Sequence, residues 1–216
     1  MKKLRILIAD DHDVVREGIR AMLQNQPDWE ICDEAASGRE AVEKAKQHKP
    51  DIMLLDFSMP ELNGVDVTRL VLKALPETEV LIFTMHNSEQ LAREVLAAGA
   101  RGLILKTESK RTLIPAIQAL AEHKPYFAAS VSAILLDSFL HPERESQNPL
   151  SDRLTARERE IIQLVSEGFT SKKIAAKLEL SPKTVDAHRA NLMAKLGVHS
   201  VSELVRYAVR NQMVQA

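Results

Sequence analysis

Residues 51–64 read DIMLLDFSMPELNG, an apolar run that ends on Asp56 and gives way to a turn around Pro60 and Gly64. A strand buried on both faces is a continuous Val/Ile/Leu run rather than an alternation, so residues 51–56 have the pattern of an inner strand of a parallel sheet. The pattern recurs on both sides. LRILIAD ends on Asp10, with Asp11 next; EVLIFT ends on Thr84; RGLILK ends on Lys106; and WEICDEA, residues 29–35, carries no residue suited to phosphate chemistry. Apolar spacing typical of helices falls between the runs, at 14–23, 41–46, 65–75, 91–97 and 113–120, with breakers such as Pro27, Gly38, Pro50 and Gly99 at the joints. Parallel neighbours need crossover connections, so the order predicts an α/β doubly wound five-stranded parallel sheet built from about the first 125 residues. Periodicity does not give the strand order.

Open sheets of this kind bind ligands at the carboxyl ends of their strands. That edge would gather three carboxylates (Asp10, Asp11, Asp56), a hydroxyl (Thr84) and an ammonium (Lys106). Singly, each has an ordinary role: an aspartate can cap the first helix, Thr84 can close a strand, and Lys106 can be a solvated charge. Together they make a chemical site. Clustered carboxylates raise one another's pKa unless a cation lies between them, and Mg²⁺, which pairs one or two carboxylates with phosphate oxygens, fits best. An aspartate so held can attack a phosphoryl group while Lys106 and the metal neutralise the developing charge. Asp56, ending the middle run before an open turn, is the expected nucleophile.

A chain of 216 residues has room for a second unit. Residues 137–152, DSFLHPERESQNPLSD, are rich in charge and turn formers, as suits a linker. Residues 1–140 carry 17 Lys/Arg against 21 Asp/Glu, whereas residues 151–216 carry 11 against 7. The basic C-terminal part points to a polyanionic partner. Cys32 is the one cysteine, which excludes an internal disulfide, and its expected role is to fill core space. No run of about 18 apolar residues and no cleavable leader is apparent, so no membrane partner is expected and the cytoplasm is the expected location.

The motifs IADD, LLDFSMPELNG, FT and LILK resemble those of a two-component receiver domain of the flavodoxin-like fold, over about residues 1–122. The resemblance implies that Asp56 accepts phosphate from a histidine kinase or a small phosphodonor. It implies that Asp11, Asp56 and the Ser58 carbonyl bind Mg²⁺, with Asp10 helping through water. Thr84 would move to the phosphoryl group, Lys106 would pair with it, and Ser58 and His86 would tune its lifetime. Leu103 stands where many receivers have a switching Tyr or Phe, and Thr107 stands where many have Pro.

In the C-terminal part, Thr155 and Glu158 fit a capping box, and Gly168 fits a helix stop. SKKIAAKLELSPKTVDAHRANLMAKLGV then reads as helix (171–178), turn, helix (182–196), with Ser181 as N-cap, Pro182 in the first turn and Gly197 at the stop. Val185, Leu192 and Leu196 share one face of the second helix; Lys183, Ala187, Ala190 and Ala194 lie opposite, flanked by Asp186 and Asn191. Small and polar side chains on one face suit a major groove, although a solvated helix face has a similar composition.

Residues 151–216 resemble the LuxR-type, or NarL/FixJ, helix-turn-helix domain, an all-α four-helix unit whose third helix reads double-stranded DNA and whose last helix, about 202–211, helps two copies pair. With the resemblance, Lys183, Asp186, Ala187 and Ala190 are expected near base edges and Thr184, His188, Arg189 and Lys195 near phosphates, while Asn191, flanking the same face, is a further DNA-binding candidate whose amide can pair with adenine. Residues 123–150 would be a helical extension and linker. The whole chain is then expected to be a DNA-binding response regulator, with a cognate histidine kinase, a homodimer and RNA polymerase as partners, and at most slow self-dephosphorylation. Two rivals remain: a constitutive DNA binder whose receiver is a dimerisation scaffold, and a phosphohydrolase. The latter would need a second carboxylate where Ser58 stands.

Overall fold

The computed structural model describes residues 3–129, 131–133, 136 and 154–210, which fall into two compact units divided at Pro142 and Glu143. Five of the strands and five helices of the first unit alternate as the apolar runs require: β1 (Leu4–Ala9), α1 (Asp13–Leu23), β2 (Trp29–Ala35), α2 (Gly38–His48), β3 (Ile52–Asp56), α3 (Gly64–Ala74), β4 (Glu79–Thr84), α4 (Glu89–Ala97), β5 (Gly102–Leu105) and α5 (Ser109–Ala121). Every residue of β3 and β4 is buried, as expected of inner strands covered on both faces. Edge strand β2 is only half-buried and carries Glu30, Asp33 and Glu34. Cys32 is half-buried there beside a register shift, so it packs against the core without filling it.

Among the described residues the sheet has six strands, not five. A two-residue strand β6 (Tyr126–Phe127) adds in parallel beside β5, giving the order β2-β1-β3-β4-β5-β6. Its amides at Tyr126 and Ala128 donate to the carbonyls of Arg101 and Leu103, which would otherwise form an open edge. Two residues are too few to show a periodicity, so this strand is invisible in the apolar pattern. Residues 131–133 beyond it are helical. Most of the expected linker, from residue 137 onward, lies outside the described residues, as does the end of the chain from residue 211.

Helix starts follow local chemistry. Ser37, Asn63 and Ser88 accept hydrogen bonds from the amides of Glu40, Asp66 and Leu91 and so cap α2, α3 and α4. None of Asp10, Asp11 and Asp13 caps α1, because its N-cap position is His12, whose side chain makes no capping bond.

The second unit contains α6 (Ala156–Ser166), α7 (Ser171–Leu178), α8 (Pro182–Leu196) and α9 (Val201–Arg210). The capping box is formed: Glu158 N donates to Thr155 Oγ1 at 3.2 Å and Thr155 N donates to Glu158 Oε2 at 2.8 Å. Ser181 Oγ accepts from Thr184 N at 3.0 Å, and Gly197 takes the left-handed conformation (φ 65°) that ends α8. Val185, Leu192 and Leu196 are buried with Ile161, Ile174 and Leu204 in a separate core. Among the described residues no helix is long and apolar enough to cross a membrane. Replacing Ser181 with Ala should lower the stability of this unit by about 1 kcal/mol, read as a reduced urea midpoint with an unchanged slope; an unchanged midpoint would remove the cap from the account.

Candidate functional site

Parallel register brings the ends of β1, β3, β4 and β5 to one edge: Ala9 pairs with Leu55, Asp56 with Phe83, and Thr84 with Leu105. Asp10 follows β1, Asp56 and Thr84 close β3 and β4, and Lys106 follows β5. All but Lys106 are buried, with Asp10 1% and Asp56 3% exposed. The Lys106 ammonium lies 2.8 Å from Asp56 Oδ2 and 2.6 Å from Asp10 Oδ2, and 5.8 Å from the centre of the Phe83 ring.

Gly64 helps to hold Asp56 in place. Its amide donates to the Phe57 carbonyl at 2.8 Å, and a Cβ there would stand 2.6 Å from the Asp56 carbonyl oxygen. Only glycine lets α3 begin so close behind the strand end. The loop between them carries Ser58, whose Oγ is 3.3 Å from His86 Nε2. The His86 amide in turn donates to Thr84 Oγ1 at 3.1 Å, and the His86 ring meets Phe57 edge to face. Ser58, Thr84 and His86 therefore form one linked wall. Leu103 lies one strand over, 2% exposed, between Ile82 and Phe127 in register.

Burial pushes the Asp56 carboxyl up to about 6, against the pull of Lys106. Burial also works to lower the Lys106 ammonium, but the charges of Asp56 and Asp10 outweigh it and hold Lys106 above its ordinary value. Donor atoms of Asp10, Asp11, His12 and Asp56 all lie within 4.8 Å of one another. Asp10 Oδ2, although close to the ammonium, has no aligned hydrogen-bond donor. Three carboxylates gathered around a single ammonium fit a hard divalent cation. Apolar periodicity missed His12; its only signal in sequence is that it directly follows Asp10 and Asp11.

In the second unit, α8 exposes Lys183, Thr184, Asp186, Ala187, Ala190, Asn191, Ala194 and Lys195, with His188 and Arg189 half-buried. Four of these side chains are engaged within the unit, Asp186 through an ion pair of 3.9 Å with Arg189 Nη1. Arg189 Nη1 donates to Ser171 Oγ at 2.8 Å, Lys195 Nζ is 2.7 Å from Glu158 Oε1, and Thr184 Oγ1 is 2.8 Å from Ser181 Oγ. Burial works to raise the Glu158 carboxyl, yet Lys195 and the Thr155 donors outweigh it and hold it below the usual range. Lys172 and Lys173, exposed in the first turn of α7, add positive charge that the reading of α8 alone passed over.

Metal ligands must be deprotonated, and the raised Asp56 keeps its proton to a higher pH than an ordinary carboxyl. Affinity for a divalent cation should hold steady above about pH 7 and fall roughly tenfold per unit below about pH 6. Calorimetric titration with Mg²⁺ across that range checks this; constant affinity down to about pH 4.5 would contradict it.

The response regulator receiver domain family matches residues 6–118, and the bacterial regulatory proteins of the luxR family match residues 152–208. The oxygen regulatory protein NreC of Staphylococcus carnosus is 38% identical over 215 residues, covering 98% of this chain and 99% of that protein. A LuxR-family two-component response regulator from Aurantimonas sp. superposes with a TM-score of 0.62 at 29% identity, covering 64% of this chain and 99% of that one. RcsB from Salmonella enterica serovar Typhimurium, solved bound to the rprA promoter with the phosphomimetic BeF3−, superposes with a TM-score of 0.58 at 28% identity, covering 95% of this chain and 98% of that one.

Proposed function

This chain belongs to the LuxR-family response regulators, which join a receiver domain to a helix-turn-helix domain, and from that premise we propose that phosphorylation of Asp56 governs its binding to DNA and hence transcription. The observation that carries the reading is the Lys106 ammonium held between Asp56 and Asp10 at the carboxyl edge of the sheet, in a chain whose other unit exposes a helix of small and polar residues. The domains are then 1–122, 123–150 and 151–216, and the working location is the cytoplasm.

Asp56, as the carboxylate, attacks the phosphorus of a kinase phosphohistidine or of acetyl phosphate, forming an acyl phosphate as the donor leaves. Asp11, Asp56 and the Ser58 carbonyl would hold Mg²⁺ directly, with Asp10 reaching it through water. When bound, Mg²⁺ offsets the charge that gathers on the phosphoryl oxygens. Lys106 exchanges part of its contact with Asp56 for a phosphoryl oxygen, and Thr84 hydrogen-bonds another. Ser58 and His86, in contact beside the pocket, set how quickly water reaches the acyl phosphate. Self-dephosphorylation is the only turnover expected.

On DNA, Lys183, Asp186, Ala187, Ala190 and Asn191 face base edges, while Thr184 and His188 approach phosphates. Arg189 and Lys195 already serve Ser171 and Glu158, so their roles are to orient α8 while adding positive potential. A homodimer would set two such helices one turn of DNA apart, about 34–36 Å, and RNA polymerase is the downstream partner. One observation favours a second reading, a constitutive DNA binder with a scaffold receiver: the buried Leu103 offers no aromatic ring to follow Thr84.

Acetyl phosphate with Mg²⁺ should add one phosphoryl group to the native chain and none to Asp56→Asn, by intact mass. DNA selected from a random pool should bind more tightly after phosphorylation at fixed salt; equal affinity would favour the scaffold reading. Lys183→Ala should weaken binding, and a salt slope smaller by about one would mark its contact as a phosphate.

A further inference from the structure

We propose that His12 is a nitrogen ligand of the divalent-cation site, which makes this pocket a mixed oxygen and nitrogen site able to take a first-row transition ion as well as Mg²⁺. The inference deepens the acidic-pocket reading above and rests on it. His12 Nδ1 stands 2.7 Å from Asp11 Oδ1 and 3.3 Å from Asp10 Oδ1, and its backbone amide donates to Asp10 Oδ1 at 2.9 Å. The side chain makes no capping bond to α1, although His12 occupies the N-cap position, so the imidazole has no part in holding the helix start. Its neighbours are carboxylate oxygens.

The carboxylates divide between two sides. Lys106 lies against the Oδ2 atoms of Asp10 and Asp56, whereas His12 lies against the Oδ1 atoms of Asp10 and Asp11. The ammonium therefore leaves the His12 side open to a second positive charge. Ligands on opposite sides of one ion at about 2.1 Å stand about 4.2 Å apart, and the donor atoms of Asp10, Asp11, His12 and Asp56 already lie within 4.8 Å of one another. Asp11, Asp56 and His12 can then close around one ion with Asp10 reaching it through water as above, and His12, with more than half its side chain exposed, has room to turn. Carboxylates alone favour hard ions, and an imidazole nitrogen tilts a site towards ions such as Zn²⁺.

The test uses the full chain loaded with Mn²⁺, read by electron spin echo modulation for nitrogen coupled to the metal, with Zn²⁺ and Mg²⁺ affinities measured in parallel. The native chain should show the coupling, and His12→Ala should lose it. Its Zn²⁺ affinity should fall roughly tenfold or more while its Mg²⁺ affinity stays within about twofold. His12→Gln, which keeps a polar side chain, should bind Mg²⁺ without the coupling and stands in if the alanine variant misfolds. His86→Ala should keep the coupling, because His86 contacts Ser58 and not the carboxylates. Mn²⁺ bound without nitrogen coupling, or coupling lost only in His86→Ala, would overturn the role of His12 and leave the acidic site standing. If neither Mg²⁺ nor Mn²⁺ binds, the acidic-site reading falls and this inference with it.

Discussion

The Lys106 ammonium, in contact with the buried carboxylates of Asp56 and Asp10, is the interaction around which the first unit is arranged. Two carboxylates taken out of water beside each other are costly, and removing the shared cation would leave them facing one another in a medium that screens poorly. The three groups come from the ends of β1, β3 and β5, separated by up to 96 positions of chain. Only a parallel order with β1 beside β3, and with β4 between β3 and β5, brings them together. β4 then has no choice but to present Thr84 on the same edge.

One ammonium does not balance three aspartates, and the imbalance is what gives the pocket its chemistry. Asp56 keeps its proton up to about pH 6, so at neutral pH it is a carboxylate held at some cost, with more to gain from a further cation than an exposed aspartate would have. A phosphoryl group on Asp56 would enlarge the negative charge that Lys106 must serve. The groups free to respond are those the wall joins together: Thr84 through the His86 amide, and Ser58 through the His86 ring. A charge change at Asp56 therefore has a short route of named contacts to the β3–α3 and β4–α4 loops.

Much of this was legible in the chain, because burial on both faces of a parallel sheet writes itself as unbroken apolar runs and the chemistry sits at their ends. The α8 bounds of Pro182 and Leu196 also follow from sequence, since Ser181, Pro182 and Gly197 each have a backbone reason to stand where they do. Features that depend on three dimensions were not legible. β6, at two residues, is too short for a period to repeat, and Asp13 in the first turn of α1 is indistinguishable in sequence from a cap. The contacts of Lys195 with Glu158 and of Arg189 with Ser171 span 37 and 18 positions, beyond anything helical spacing encodes. His12 stood in plain view, but an imidazole declares itself only through its neighbours.

Those long-range pairs bear on how α8 can face a duplex. Glu158 closes the capping box of α6 and holds Lys195 near the end of α8, so one buried carboxylate joins the start of one helix to the end of another. Arg189 reaches from the middle of α8 to the first turn of α7, leaving its Nε buried without a partner. Two cations are thereby spent on orientation, and the outward face keeps Ala187, Ala190 and Ala194, which let the backbone come close to a groove. A helix fixed by charges at its flank and end and bare along its outer face can be read against base edges only in a narrow range of angles. On the proposed reading, Glu158 and Ser171 would contribute to specificity without touching DNA, because they hold the tilt at which α8 would present Asp186 and Asn191.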